Sequence, residues 1–182
     1  MNVIVPLADG FEEIEAVTII DVLRRAGISV TSVFLRVNPV IGSHEIPVTA
    51  DKNISGVSAA DYDSIVLPGG MPGSKNLKED ERVIALIREL NSRERIVAAL
   101  CAAPIALGHA GVLKGKRATC FPGFEGQMTG SIPVSEPVVR DGRIITGKGP
   151  GCAIPFALAL VEAFAGREKA ENLRDAMQVY WM

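Results

Sequence analysis

The chain has 182 residues, 48% hydrophobic and 22% charged, with a formal net charge of −2. This composition predicts one globular domain over residues 1–182 and, because acids and bases are interspersed, no nucleic-acid-binding surface. The three cysteines lack the paired spacing of disulfide frameworks or zinc sites, no apolar run reaches the ~20 residues of a membrane span, and a strand starts where a signal peptide would lie, so we expect a metal-free cytoplasmic protein.

Strand and helix patterns alternate from the first residues onward, which predicts a mostly parallel sheet with helices on both faces. The main strands are predicted at 2–6, 28–34, 64–67 and 96–100. Short strands are predicted at 46–48, 52–54 and 117–121, and a hairpin with an Asp-Gly turn at 138–146. Helices are predicted at 11–25, 80–91, 104–110, 153–165 and 168–180.

A cysteine stands directly after the apolar strand 96–100. Ala102, Ala103 and Pro104 follow it, and then a helical pattern begins. This order predicts a strand-to-helix nucleophile elbow at the carboxyl edge of the sheet, where α/β proteins bind ligands. The N-terminus of the following helix favours a Cys101 thiolate with a lowered pKa. The alternative is a buried structural cysteine, which is the interpretation we favour for Cys120 and Cys152.

The first predicted helix places a carboxyl group within its apolar stripe. At about 100° per residue, Glu15 falls on the stripe that faces the core. Burial would raise its pKa and keep it protonated. If the first strand and the strand before Cys101 are neighbours, Glu15 would reach the sulfur and could shuttle protons. The alternative role, an acid that complements the helix dipole, fits Glu12 and Glu13 better.

Backbone N–H groups at the same edge are candidates for binding an anion. Gly69 and Gly70 follow the strand 64–67, and their N–H groups could form an oxyanion hole with that of Ala102. The segment Gly149-Pro150-Gly151 precedes a helix and could bind an anion too. An ordinary glycine turn and a helix cap are the alternatives.

The chain has two histidines. His109 lies near the C-terminus of a predicted helix, where a surface cation is expected. Only His44, in a loop, is then available for a Cys-His dyad.

Four segments appear in order along the chain: Asp-Gly-Phe-Glu-Glu-Ile-Glu at 9–15, Leu-Pro-Gly-Gly at 67–70, Ala-Leu-Cys-Ala-Ala-Pro at 99–104 and Gly-Pro-Gly at 149–151. Together they resemble the ThiJ/PfpI superfamily, and most closely its branch with the Parkinson-associated protein (DJ-one) and the bacterial YajL proteins. The resemblance runs from residue 2 to about residue 167. It implies a flavodoxin-like three-layer sandwich, a homodimer and no cofactor.

By this resemblance, Cys101 corresponds to the reactive cysteine of the family and Glu15 to the acid bonded to it. Gly70 and Ala102 correspond to the oxyanion hole.

Two positions depart from the family pattern. Phe121 stands where the human-type protein has a histidine, so a Cys-His dyad is not expected there. His44 stands where relatives carry an arginine, so anion contacts near the site would differ. We expect five residues to contact the substrate: His44, Gly69, Phe121, Gly149 and Pro150.

Members of the superfamily are described as cofactor-free glyoxalases, deglycases and oxidative-stress proteins. The resemblance therefore implies a cysteine-dependent glyoxalase or deglycase acting on methylglyoxal or early glycation adducts. The alternative is a redox sensor or redox-regulated chaperone that works through oxidation of Cys101. A cofactor-binding flavodoxin-like module is disfavoured, because a cysteine and a carboxyl occupy the ligand edge. The expected partners are a small aldehyde or glycated substrate and a second copy of the chain, for which Ile14, Val17 and Ile20 lie off the main apolar stripe.

Overall fold

The structure is a computed structural model that describes residues 1–180; residues 181 and 182, the end of the predicted domain, lie outside the described residues. Its strands are β1 (Asn2–Leu7), β2 (Ser29–Phe34), β3 (Val40–Ile41), β4 (Pro47–Val48), β5 (Lys52–Asn53), β6 (Ser64–Leu67), β7 (Ile96–Leu100), β8 (Arg117–Ala118), β9 (Ile132–Pro133), β10 (Val138–Asp141) and β11 (Ile144–Gly147). Its helices are α1 (Glu13–Arg25), α2 (Gly73–Glu79), α3 (Glu81–Ser92), α4 (Pro104–Ala110), α5 (Ala153–Ala165) and α6 (Arg167–Ala176).

The central sheet has seven strands in the order β10-β11-β7-β6-β1-β2-β5. Every pair is parallel except β10 with β11, which form the predicted antiparallel hairpin. The mixed α/β class, the mostly parallel sheet and the flavodoxin-like sandwich are thus confirmed. Within residues 1–180 no helix is both long enough and apolar enough to cross a membrane.

Alternate residues of each strand supply the two cores of the sandwich. On β7, Ala98 and Leu100 pack with α1 and α5, whereas Val97 and Ala99 pack with α3 and α4. Such strands, buried on both faces, are continuous apolar runs, and this is why they could be located from the sequence. Because helices cover both faces of the sheet, its accessible part is the edge formed by the carboxyl ends of the strands, where β1, β6 and β7 end together.

The sequence left open whether the first strand and the strand before Cys101 are neighbours. They are not, because β6 lies between β1 and β7. The helix α2 was not predicted, because it lacks a side-chain cap at its start and buries a single large residue, Leu77. The predicted last helix also ends earlier than expected, at Ala176.

The short strands differ as well. Only β5 joins the central sheet, as its edge strand, while β4 pairs with β3 in a separate two-stranded sheet. The strand predicted at 117–121 is limited to β8, which pairs with β9 outside the central sheet.

Candidate active site

Cys101 occupies the turn between β7 and α4 with a backbone φ of +64°. A side chain other than glycine adopts such an angle at a cost, so the surrounding bonds must hold it. The Cys101 N–H donates to the Gly147 carbonyl at 2.9 Å, and its carbonyl accepts from the Phe121 N–H at 2.8 Å. The cysteine is thus clamped on both sides, with 7% of its surface exposed.

Glu15 lies in the first turn of α1 and is fully buried. Its Oε2 accepts a hydrogen bond from the Gly69 N–H at 2.7 Å, and its carboxyl group contacts the Cys101 thiol. Oε1 has no conventional hydrogen-bond partner among residues 1–180. The carboxyl is therefore fixed at one oxygen by the Gly69 N–H and lies against the thiol, with which it can share a proton.

Gly69 explains how Glu15 reaches Cys101 although β6 separates their strands. A Cβ on Gly69 would lie 2.5 Å from the Cys101 Cβ and 2.6 Å from Glu15 Oε2. Only a residue without a side chain lets the carboxyl and the sulfur meet across this loop.

The backbone N–H groups of Gly70 and Ala102 lie beside the Cys101 sulfur and lower the pKa of its thiol. Gly70 has a φ of +89°, and a Cβ there would lie 2.3 Å from the Glu12 backbone nitrogen. The glycine is required both by its backbone angle and by this close approach. The two N–H groups give the site positive potential where a thiolate, or an oxyanion next to it, would carry its charge.

The two titratable groups of the site influence each other. Burial raises the pKa of Glu15 to about 7, although the hydrogen bond from Gly69 opposes this. Burial and the negative charge of an ionised Glu15 raise the pKa of the Cys101 thiol to about 12, against the N–H groups of Gly70 and Ala102, which lower it.

The expectation of a lowered Cys101 pKa, from the helix N-terminus and the neighbouring carboxyl, is therefore wrong. An ionised carboxylate beside the thiol opposes the loss of its proton, and burial adds to this effect. The two groups form a coupled pair that titrates together. A thiolate is favoured only while Glu15 keeps the shared proton.

Phe121 and Gly149 lie together on one side of the elbow. A Cβ on Gly149 would lie 3.2 Å from the Phe121 ring, and Phe121 is tied to Cys101 by the backbone hydrogen bond described above. Pro150 begins a 3-10 turn that leads into α5. The structure thus brings Phe121, Gly149 and Pro150 to the neighbourhood of Cys101.

His44 lies with the acids at the start of α1. Its Nδ1 is 2.8 Å from Glu13 Oε2 and 3.9 Å from Glu12 Oε1, with 68% of the side chain exposed. The imidazole is thus oriented as the partner of Glu13 rather than as a base for Cys101.

At about 100° per residue, the helical pattern predicts that Glu13 faces away from the core, yet it is 5% exposed. The loop between β3 and β4 covers it, and the N–H of His44 donates to it at 2.6 Å. Burial raises its pKa, but the hydrogen bonds from His44 outweigh burial and bring it to about 2.

Glu12, for which the sequence indicated only a role in complementing the helix dipole, contacts the site through Glu15. It is the N-cap of α1, and its Oε2 accepts from the Glu15 N–H at 2.8 Å. The carboxylates of Glu12 and Glu13 and the His44 imidazole lie close enough together to hold a metal ion. Both oxygens of Glu13 already accept hydrogen bonds from the loop, so this cluster is a network of internal bonds.

A parallel α/β sandwich with a cysteine on a strand-to-helix elbow, against a buried glutamate, defines a flavodoxin-like protein with a candidate cysteine site. The chain belongs to the DJ-1/PfpI family, whose family model matches residues 1–163. It is 37% identical over 181 residues to the protein dj-1beta of Drosophila melanogaster, covering 98% of this chain and 97% of that protein.

A plant relative and a solved structure are similar to the chain over nearly all of its length. The chain is 38% identical over 180 residues to the protein DJ-1 homolog B of Arabidopsis thaliana, covering 98% of this chain but only 41% of the plant protein. It therefore spans less than half of that relative's length. Among solved structures, that of oxidized Toxoplasma gondii DJ-1 matches with a TM-score of 0.94 at 37% identity, covering 100% of this chain and 99% of the other.

Proposed function

We propose that this protein is a cofactor-free, cysteine-dependent glyoxalase or deglycase. It acts on methylglyoxal or early glycation adducts and protects against carbonyl or oxidative stress. One observation carries the proposal: the Cys101 sulfur is in contact with the buried Glu15 carboxyl and with two backbone N–H groups, those of Gly70 and Ala102. This combines a nucleophile, a proton carrier and an oxyanion site at one atom.

In the first step, the Cys101 thiolate attacks the aldehyde carbon of methylglyoxal. A carbon–sulfur bond forms while the carbonyl π electrons move to oxygen. The N–H groups of Gly70 and Ala102 stabilise this oxyanion. Glu15, which holds the shared proton, then protonates it, giving a hemithioacetal and a Glu15 carboxylate.

In the second step, the Glu15 carboxylate removes the proton from the carbon bonded to sulfur, and the electron pair moves to the neighbouring carbonyl, which gives an enediolate. Glu15 then returns this proton to the neighbouring carbon, and the hydroxyl proton passes to the neighbouring oxygen, which gives the thioester of lactate. Water hydrolyses the thioester, releasing lactate and restoring the thiol. The sum is methylglyoxal plus water giving lactate, so no external oxidant or reductant takes part.

The limited exposure of the sulfur supports a small substrate. Cys101 has 7% of its surface exposed, and two surface cavities, of about 280 and 250 Å³, lie beside Arg36 and beside Cys120. A three-carbon aldehyde fits such a site better than a large cofactor does. We propose that Gly69, Phe121, Gly149 and Pro150 surround this substrate. His44, from the loop between β3 and β4, would contact its outer end.

A second candidate function uses the same contacts. A Cys101 oxidised to sulfinate would accept a hydrogen bond from a protonated Glu15 and others from Gly70 and Ala102. The matching Toxoplasma gondii protein is described as oxidized. The alternative is therefore a redox sensor or a redox-regulated chaperone.

We also propose that the protein forms a homodimer through α1. Ile14 and Val17 on this helix are 60% and 50% exposed, and the neighbouring Ile46 is 54% exposed. Together they make an apolar surface suited to an isologous contact with a second copy.

A peroxide titration separates the two functions. Turnover of methylglyoxal, melting temperature and suppression of client aggregation are measured on the same samples. The enzyme proposal predicts activity in the reduced protein that falls in proportion to Cys101 sulfinate, because a sulfinate cannot attack a carbonyl. A reduced protein without activity, whose aggregation suppression rises with oxidation, would establish the sensor instead.

A further inference from the structure

Three hydrogen bonds join the start of α1 to the glycine loop of the site. The Glu12 N–H donates to the Gly69 carbonyl at 2.9 Å. The Gly69 N–H donates to Glu15 Oε2 at 2.7 Å, and the Glu15 N–H donates back to Glu12 Oε2 at 2.8 Å. These bonds form a closed ring, so the Glu15 carboxyl cannot move without breaking one of its links.

The Glu12 side chain also brings a charge close to the pair. Its carboxyl is 8% exposed. Burial is the main cause of the raised pKa of Glu15, and the negative charge of Glu12 raises it further. The pKa of the Cys101 thiol is instead shifted by burial, by Glu15 and by the N–H groups of Gly70 and Ala102. The Glu12 charge therefore acts on one member of the pair and favours the state in which that member is neutral.

The other charged groups around this point come from three elements. On α1 itself, Glu13 is paired with His44 through a 2.8 Å contact. From the loop between β3 and β4, the His44 imidazole faces Glu12 at 3.9 Å but is 68% exposed, so water screens it. From the elbow, Cys101 is the other titratable group facing Glu15.

We propose that Glu12 is a positioning residue for the pair of Cys101 and Glu15. Its carboxylate orients Glu15 through the ring and drives the shared proton onto Glu15, which leaves the negative charge on the sulfur. This inference rests on the proposed function, in which that pair is nucleophile and proton carrier. The distribution of the proton is nevertheless measurable without substrate.

The test is the rate of Cys101 alkylation by iodoacetamide, followed by mass spectrometry of the cysteine peptide from about pH 5 to pH 9. Glu12→Gln keeps an oxygen that accepts the Glu15 N–H but removes the charge. We expect its alkylation near pH 7 to be about tenfold slower and its pH profile to move up by about one unit. Glu13→Gln is the matched control, because its carboxylate pairs with His44, and its rate should stay within about twofold of the wild type.

Glu12→Asp separates charge from packing. Aspartate is a favoured N-cap residue and keeps the negative charge, so the wild-type pH profile should persist even if the melting temperature falls. The proposal is overturned if Glu12→Gln alkylates like the wild type, or if Glu12→Asp is as slow as Glu12→Gln.

The outcome is separable from that of the proposed function. If the variants show the expected alkylation rates but the wild type does not turn over methylglyoxal, the proposed enzyme activity is refuted and the role of Glu12 is supported. If the wild type turns over methylglyoxal but the pH profile of Glu12→Gln is unshifted, the activity is supported and the role of Glu12 is refuted.

Discussion

Replacing Glu15 by glutamine should change stability and activity in opposite directions. The amide keeps the shape of the side chain and an oxygen for the Gly69 N–H, but it cannot ionise. In the wild type, the pKa of this carboxyl rises in the folded state from 4.5 to about 7, mainly through burial. Between pH 4.5 and 7, Glu15 therefore ionises in the unfolded chain but stays mostly protonated in the folded protein. The free energy of unfolding falls as the pH rises through this range.

The size of this loss follows from the two pKa values. Each unit of pKa difference costs about 1.4 kcal/mol of unfolding free energy once the carboxyl is ionised in the unfolded chain. Glu15 therefore lowers the free energy of unfolding by about 3 kcal/mol above pH 7 and has no such effect well below pH 4.5. Glu15→Gln should therefore be more stable than the wild type at pH 8, by up to about 3 kcal/mol, with the gain vanishing towards pH 4. Its turnover of methylglyoxal should fall by about 10² or more, because the proton carrier is gone.

Urea denaturation of both proteins at about pH 4, 6 and 8 measures the first effect, and lactate formation measures the second. Glu13→Gln serves as the control, since hydrogen bonds from His44 lower the pKa of Glu13 to about 2. That variant should lose stability at neutral pH, and the loss should shrink as the pH falls from about 4.5 to 2. If the difference in unfolding free energy between Glu15→Gln and the wild type does not change with pH, the claim that burial raises the pKa of Glu15 is refuted.

Two other substitutions test the loop and the surface. Gly70→Ala should lower the free energy of unfolding by about 2–5 kcal/mol and abolish turnover, because the added Cβ would meet the Glu12 backbone at 2.3 Å in a residue with φ of +89°. Denaturation and lactate assays check this, and a stable, active variant would contradict it. Ile14→Lys places a charge at a residue that is 60% exposed on α1, so it should convert a dimer into monomers at micromolar concentration. Sedimentation velocity measures this, and a wild type that is already monomeric would refute the dimer.

The elbow at Cys101 could be predicted because neighbouring residues specify it. An apolar run, a cysteine, two alanines and a proline at a helix start are all visible within nine residues, 96–104. The hairpin of β10 and β11 was predictable for the same reason, since its Asp-Gly turn is local. Burial of Glu15 followed from helical periodicity alone.

Features that depend on distant parts of the chain were not accessible in this way. The position of β6 between β1 and β7 results from strand pairing across the sheet, which no short segment encodes. The burial of Glu13 depends on the loop at Gly42, where a Cβ would lie 2.1 Å from the Glu13 carboxyl. The pKa of Cys101 likewise depends on how close Glu15 comes, and helix position alone gave the wrong direction.

The measurement that tests the central claim most directly is lactate formation from methylglyoxal, without added thiol or metal, by the wild type and by Cys101→Ser. The sulfur is in contact with Glu15 and with the N–H groups of Gly70 and Ala102, whereas a serine hydroxyl at this position is far less ionised. We expect steady lactate production by the wild type and none above background by the variant. Equal rates for the two proteins, or no lactate from the wild type, would contradict it.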